Sequence, residues 1–263
     1  MIEPEPDPHS DPVLEARALQ MQFQGLKAVD GISLALAPGE MLGLIGPNGA
    51  GKTTMFNMLA GSLVPTSGQI MLNGQDVTKD RPEQRLGSGL GRTFQIPRPF
   101  AEMTVLENVL TGARDQAGES VFHTWFSPRR VAREEHQNVE KARHLLDFLL
   151  LSRLEGEPAR VLSGGQRKLL ELARLLMADP SVLLLDEPAA GVNPSLLEVI
   201  MERIQALNAQ GKAILLIEHN MDMVSRMCSR VFVMAAGREL AQGAPSDVIR
   251  DPRVIQAYLG DAA

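Results

Sequence analysis

One cysteine, one tryptophan and one tyrosine occur among 263 residues, and each scarcity narrows the field. A single thiol, Cys228, closes no intrachain disulfide and builds no cysteine metal site, so a reducing compartment is expected. No apolar run reaches the roughly 18 residues that a membrane-spanning helix needs, and no signal-peptide pattern opens the chain. The expectation is a soluble protein that meets a membrane only through a partner. Basic residues are the minority, 26 Lys and Arg against 32 Asp and Glu, for a net charge of -6. Glu3, Glu5, Asp7, Asp11 and Glu15 fall in the first 15 residues, where no Lys or Arg stands. The rest of the chain is near neutral, which argues against a dedicated nucleic-acid binder.

What is present is a globular composition, 44% apolar, in a chain long enough to bury a core. Residues 1–12, with four prolines among acids, read as a disordered tail. From Val13 to Leu36, apolar and polar residues alternate around Gly25 and Gly31, as in antiparallel β structure. Glu40 to Ile45 reads as a buried strand running into Gly46, Thr53 to Ala60 as a helix, and Gly68 to Leu72 as a strand. The stretch from Pro97 to Asp179 reads as mainly helical, including a helix from Gln166 to Ala178. Val182–Leu185 and Ala213–Ile217 are too short for helices and read as central parallel strands. A helix from Pro194 to Ala209 joins them in a βαβ unit. Asp251 and Pro252 open a last short helix that stops at Gly260. No internal repeat is visible.

Three motifs carry chemistry. Gly46-Pro47-Asn48-Gly49-Ala50-Gly51-Lys52-Thr53 lies between a strand and a helix, the context a phosphate loop requires. Its glycines let backbone N–H groups wrap a phosphate closely. Lys52 brings a mobile positive charge to the β- and γ-phosphates, the Thr53 hydroxyl can ligate Mg²⁺, and Thr54 can reach the α-phosphate. Asp186 and Glu187 end a buried strand, at the edge of an α/β sheet where ligands bind. Asp186 suits the Mg²⁺ shell, through water, and Glu187 suits a general base acting on the attacking water. Leu162-Ser163-Gly164-Gly165-Gln166 opens a helix with bare N–H groups and a hydroxyl, an arrangement that grips an anion.

The order of phosphate loop, Gln95, signature pentapeptide, Asp186-Glu187 and His219 resembles the nucleotide-binding subunits of ATP-binding cassette transporters over nearly the whole chain after the tail. The resemblance implies an α/β phosphate-loop core of the RecA-like type, an antiparallel β subdomain, and a helical subdomain at about 96–180 within a cassette spanning 13–263. It also implies that Ser163 and Gly165, with Gly164 and Gln166 beside them, contact the γ-phosphate of an ATP held by the opposite subunit. Gln95 would touch Mg²⁺ or the water and sense the permease, and His219 would contact the γ-phosphate. Phe23 stands where the family stacks an aromatic on adenine; a core position is the competing reading. Asn193 stands where many members carry Asp, so no charge-dependent role is expected of it.

Arg92-Thr93-Phe94-Gln95, Glu187 to Pro194, Ile217 to Met221 and Ala257 to Gly260 are similar to the ATPase subunits of branched-chain, or hydrophobic, amino acid importers. So is an insertion from about Arg114 to His144. Within it, Trp125 and Phe126 precede Arg129 and Arg130, and suit either contact with the permease or membrane face, or closure over the protein's own helices. The expectation is an ATP-hydrolysing, Mg²⁺-dependent importer subunit on the cytoplasmic face of the inner membrane. Its partners would be permease subunits, a second ATPase subunit (identical or different) and, indirectly, a substrate-binding protein. Related lipid or lipopolysaccharide transport is the alternative. DNA- or ribosome-directed cassettes fit less well, because no coiled coil separates Lys52 from Ser163 and only one cassette is present. A phosphate-loop kinase has no use for the pentapeptide.

Overall fold

Parallel strands buried on both faces set the framework on which everything else hangs. The computed structural model describes residues 11–93, 98–114 and 128–259. Gln95, Trp125, Phe126, Gly260 and all of the expected tail but Asp11 and Pro12 therefore lie outside the described residues. The chain divides into two compact units. One comprises Met1–Arg92, Pro180–Ala189 and Ile204–Ala263, the other Thr93–Asp179 and Ala190–Arg203.

The first unit contains two sheets. Strands β1 (Leu14–Phe23), β2 (Leu26–Leu36), β4 (Ser67–Leu72) and β5 (Gln75–Asp76) form an antiparallel sheet in the order β2-β1-β4-β5. The turn between β1 and β2 uses Gln24 and Gly25, both at positive φ (45° and 92°), the backbone hand that matches strand twist. This is the β region expected from Val13 to Leu36. The second sheet combines β3 (Met41–Ile45), β6 (Leu90–Arg92), β7 (Val182–Asp186), β8 (Ala213–Ile217), β9 (Arg230–Ala235) and β10 (Arg238–Gly243). Its order is β10-β9-β3-β8-β7-β6, and every pairing except β9 with β10 is parallel. Every residue of β3, β7 and β8 is buried, which explains their unbroken apolar sequences. The two strands expected to be central and parallel, β7 and β8, pair directly with each other in parallel, and α6 (Pro194–Ala209) joins them. The β9–β10 hairpin and β6 were not foreseen: β10 is Arg-Glu-Leu-Ala-Gln-Gly, a polar edge strand without apolar alternation.

Helix α1 (Lys52–Leu59) follows the phosphate loop and buries Met55, Phe56, Met58 and Leu59 in a core that also draws on both sheets, through Leu14, Leu34 and Ile70 of one and Leu42, Leu44 and Leu184 of the other. At roughly 1.5–3 kcal/mol for each large apolar side chain taken from water, this packing fixes the helix firmly. Its carboxyl end is held by a charge. Arg85, from α2 (Pro82–Gly87), is fully buried and its Nη1 donates to the carbonyls of Met58 and Leu59, both at 2.6 Å. Nε donates to the Asp80 carbonyl and Nη2 to that of Thr78, each at 3.1 Å. Burial pulls the guanidinium down to about 10, with the Asp80 and Asp76 charges opposing, so it remains protonated at neutral pH. A cation at a helix carboxyl end faces the negative pole of the dipole.

The second unit is helical in the described residues, as expected. Helix α3 (Val105–Leu110) starts in a capping box: Thr104 Oγ1 accepts from the Glu107 N–H, and the Glu107 carboxylate accepts from the Thr104 N–H. Helices α4 (Pro128–Phe148) and α5 (Gly164–Met177) complete it. Gly112 lets the chain after α3 meet α5 closely, since a Cβ there would stand 2.1 Å from the Arg174 carbonyl oxygen.

Replacing Arg85 by Ala would strand the Met58 and Leu59 carbonyls and open a hole in the same step. The expected loss is about 3 kcal/mol or more, read by denaturant unfolding. A loss under about 1 kcal/mol would show that α1 does not depend on this guanidinium.

Candidate functional site

The carboxyl ends of β3, β8 and β7 gather the groups singled out in the sequence. Beyond β3, Gly46 turns the chain at φ 149°, where a Cβ would overlap the Met234 carbonyl oxygen at 2.1 Å. Gly51, at φ 97°, would likewise overlap the Ala28 carbonyl oxygen at 2.2 Å. These two glycines are imposed by backbone pressed against the loop from the protein side. Gly49 differs: its φ is 72°, and a Cβ there meets nothing within 4 Å, so it edges open space. Asn48, Gly49 and Thr53 are exposed, Pro47, Gly51 and Thr54 half-buried, and Gly46, Ala50 and Lys52 buried. No side chain caps the start of α1, and its first turn holds no acid. Lys52 Nζ donates to the carbonyl oxygens of Gly46 and Pro47 at 2.6 and 2.9 Å, folding the ammonium across the loop. An uncapped helix start with a lysine over a glycine-lined loop suits a polyphosphate.

Asp186, at the end of β7, is 5% exposed and pairs with Arg92 Nη2 at 3.4 Å. Arg92 also donates to Asn57 Oδ1 at 2.6 Å and lies over the Phe56 ring, 4.9 Å from its centre. Burial pulls its guanidinium below the usual range, and the Asp186 charge opposes that pull. Oxygen donors from Asp186 and the Thr53 hydroxyl suit a hard cation such as Mg²⁺. Among the described residues no group of three or more His, Cys, Asp or Glu could hold a metal unaided, and a Mg²⁺ site completed by phosphate oxygens needs none.

Glu187 follows at φ 47°, in the left-handed region, with its N–H donating to the Ile217 carbonyl at 2.9 Å. Its Oε1 lies 2.9 Å from Nε2 of His219, just beyond β8. A neutral imidazole in this contact carries its proton on Nε2. Sequence placed the two residues in one site; their direct contact is a finding of the structure. Phe23, at the end of β1, is 45% exposed, which removes the core reading and leaves its ring face accessible. Gln95, expected beside the metal, lies outside the described residues.

The pentapeptide forms the start of α5, which begins at Gly164, two residues earlier than the expected Gln166. Ser163 is the N-cap: its Oγ accepts from the Gln166 N–H at 3.3 Å, and Gln166 Oε1 accepts from the Ser163 N–H at 2.9 Å. Ser163 and Gly164 are exposed. Gly165 is buried, and a Cβ there would meet Leu196 at 2.2 Å and Val192 at 3.2 Å, so this glycine also serves packing. Asn193 caps α6, its Oδ1 accepting from the Leu196 N–H at 2.9 Å, a role without charge.

Three residues at this corner escaped sequence reasoning as functional. Arg92 and Glu218 stood in family-like stretches, yet no local pattern reveals that both are turned inward. Tyr258, on the helix Pro252–Leu259, lies beside the backbone of Gly46; burial raises its phenol and Gly46 pulls the other way. It too stood in a family-like stretch, Ala257 to Gly260, and is the sole tyrosine.

Known proteins share this architecture. The family model described as ABC transporter matches residues 29–190, and one described as branched-chain amino acid ATP-binding cassette transporter matches residues 238–263. The probable branched-chain amino acid transport ATP-binding protein LivG of Archaeoglobus fulgidus is 41% identical over 248 residues, covering 94% of this chain and 95% of that one. The high-affinity branched-chain amino acid transport ATP-binding protein LivG of Escherichia coli K12 is 40% identical over 254 residues, covering 96% and 100%. A nucleotide-free ATP-binding cassette from an ABC transporter superposes with a TM-score of 0.82 at 37% identity, over 94% of this chain and 98% of that one. The ADP conformation of MJ1267, an ATP-binding cassette of an ABC transporter, gives a TM-score of 0.82 at 36% identity, over 95% of this chain and 100% of that one. On these matches and this fold, the chain belongs to the ABC transporter family, as one of its ATP-binding, ATP-hydrolysing cassettes.

Proposed function

We propose that this chain drives the import of branched-chain amino acids by binding and hydrolysing ATP beneath a separate permease. The observation that carries the hydrolytic part is the 2.9 Å contact of Glu187 with His219, beside Asp186 and level with the phosphate loop. The substrate class is supported by the names of the relatives and by the match of residues 238–263. The cassette is read as residues 13–263, with a helical subdomain at about 96–180.

Each residue's part follows from its position. Lys52 leaves the carbonyls of Gly46 and Pro47 to neutralise the β- and γ-phosphates, while the loop N–H groups from Gly46 to Thr54 line the polyphosphate. Phe23 offers its exposed face to the adenine. Mg²⁺, held by the Thr53 hydroxyl and, through water, by Asp186, would supply neutralisation of the phosphate charge. Glu187 accepts a proton from the attacking water, and His219, whose Nε2–H holds that carboxylate in place before nucleotide arrives, turns the same N–H to the γ-phosphate once ATP is bound. Ser163 already uses its oxygen to accept from Gln166, so its own proton can be directed outward to a phosphate bound by a second ATPase subunit. Gly164 and Gly165 keep that helix start bare. Two such subunits close over two ATP molecules, and closure moves the permease. No helix of the described residues is long and apolar enough to cross a membrane, so the membrane is met through the permease, at its cytoplasmic face.

Glu187→Gln should retain ATP affinity and slow hydrolysis about 100-fold or more, whereas Lys52→Ala should weaken nucleotide binding itself. Near wild-type turnover in Glu187→Gln removes the assignment of the base. The shared site has its own signature: mixing a Lys52→Ala chain with a Ser163→Arg chain, each inactive alone, should restore hydrolysis, because the mixed dimer keeps one intact loop facing one intact pentapeptide. No recovery on mixing excludes the shared site. For the substrate, cells deleted for this chain should lose uptake of labelled leucine, isoleucine and valine and regain it with the wild-type chain but not with Glu187→Gln; uptake unaffected by the deletion rules this substrate class out.

A further inference from the structure

The acid next to His219 is as buried as the core. Glu218 is 3% exposed, and a carboxylate removed from water is costly unless its oxygens are met by donors. Here they are met by backbone from two loops. Oε1 accepts from the Ala189 N–H at 2.7 Å, and Oε2 accepts from the His219 N–H at 3.1 Å and the Asn220 N–H at 3.4 Å. Ala189 belongs to the loop that leaves β7, and His219 and Asn220 to the loop that leaves β8. One side chain therefore ties together the two loops that carry Glu187 and His219.

The tie lies where the backbone needs it. Glu187 holds a positive φ without being glycine, a conformation that costs of order 1–3 kcal/mol and lasts only when its surroundings enforce it. On one side the Glu187 N–H is fixed to the Ile217 carbonyl at 2.9 Å, and two residues later the Ala189 N–H is fixed to Glu218. We propose that Glu218 is a positioning residue for ATP hydrolysis, setting the distance and orientation of Glu187 against His219 without touching the nucleotide. This rests on the ATPase reading of that pair. It also explains why the residue is a carboxylate. Three N–H donors converge from two sides, so both oxygens must accept. A glutamine of the same shape would turn an NH₂ group toward one side and lose that side.

The test is kinetic, on the full chain. Glu218→Gln is expected to lower kcat for ATP about 10-fold, as a small misplacement of a reacting group does, with KM and ATP affinity within about twofold of wild type. The decisive measurement is the double variant. If Glu218 acts through the Glu187–His219 pair, adding Glu218→Gln to His219→Ala slows hydrolysis no further than His219→Ala alone. Full multiplication of the two effects, an unchanged kcat in Glu218→Gln, or a parallel loss of ATP affinity would each overturn the positioning role; the last would make Glu218 a general support of the fold. Wild-type turnover in His219→Ala has a different meaning, since it removes the catalytic pair itself and the proposal with it.

Discussion

Strand register is the constraint on which the site depends. Leu44 of β3 and Asp186 of β7 both pair with Ile217 of β8, so three strands reach their carboxyl ends at one level. The next residues of β7 and β8 are Glu187 and Glu218, and two positions past Leu44 lies Gly46. In strands buried on both faces, a slip by one residue would exchange the faces of a whole strand and drive packed side chains into their neighbours. The apolar runs that fill the core thus also fix where the loop, the acids and the imidazole emerge. Gly43 shows how tightly β3 is held, since a Cβ there would stand 3.1 Å from the Cys228 sulfur. That thiol is pushed up to about 12, first by burial and then by the charges of Glu218 and Glu40, so it behaves as a packing group and not as a nucleophile.

Charge at this corner follows from the same geometry. Asp186, Glu187 and Glu218 converge at the ends of two adjacent strands, β7 and β8, and each has a different kind of partner. Asp186 has a guanidinium, Glu187 an imidazole and Glu218 only backbone N–H groups. The differences match what each group is asked to do. Arg92 holds the acid assigned to the metal shell while also resting on Phe56 and Asn57 of α1, so that acid is braced against the helix following the phosphate loop. Glu187 has the partner most easily exchanged, and it is the acid assigned to receive a proton. Glu218 has the least exchangeable partners, as a brace requires. Arg85 holds the far end of α1 with the same economy, leaving the uncapped amino end of that helix directed at the phosphate loop.

What the sequence made legible was determined by short-range physics. Strands β3, β7 and β8 were readable because burial on both faces leaves unbroken apolar runs, and the phosphate loop because its glycine spacing between a strand and a helix is a pattern within eight consecutive residues. The bounds of α6 came out as expected, with a capping Asn193 before Pro194 at one end and Gly211 beyond the other. The β9–β10 hairpin was hidden because an edge strand gains its identity from its neighbour. Arg85 and Glu218 were hidden for a related reason. A charged residue reads as surface unless its partners are known, and these partners are backbone atoms up to 29 positions away. The mutual contact of Glu187 and His219 was inferable only as shared membership of a site, since their separation is fixed by strand register and by the left-handed turn at Glu187.

The signature pentapeptide follows a different logic, one complete within five residues. Its box of paired hydrogen bonds between Ser163 and Gln166 is a helix-capping device, satisfied without any ligand. Capping engages the serine oxygen as acceptor and fixes the side chain, while the exposed Gly164 leaves the approach clear and Gly165 packs the helix start against Val192 and Leu196. The anion-gripping half of the proposed shared site is therefore formed before any partner arrives, and ordering it adds nothing to the cost of association. The hydrolytic half is different: Lys52 must give up two carbonyl partners before it can serve a phosphate. Of the two proposed faces, the pentapeptide is already capped while the phosphate loop has its lysine still to release, so the proposed order is nucleotide first and closure second.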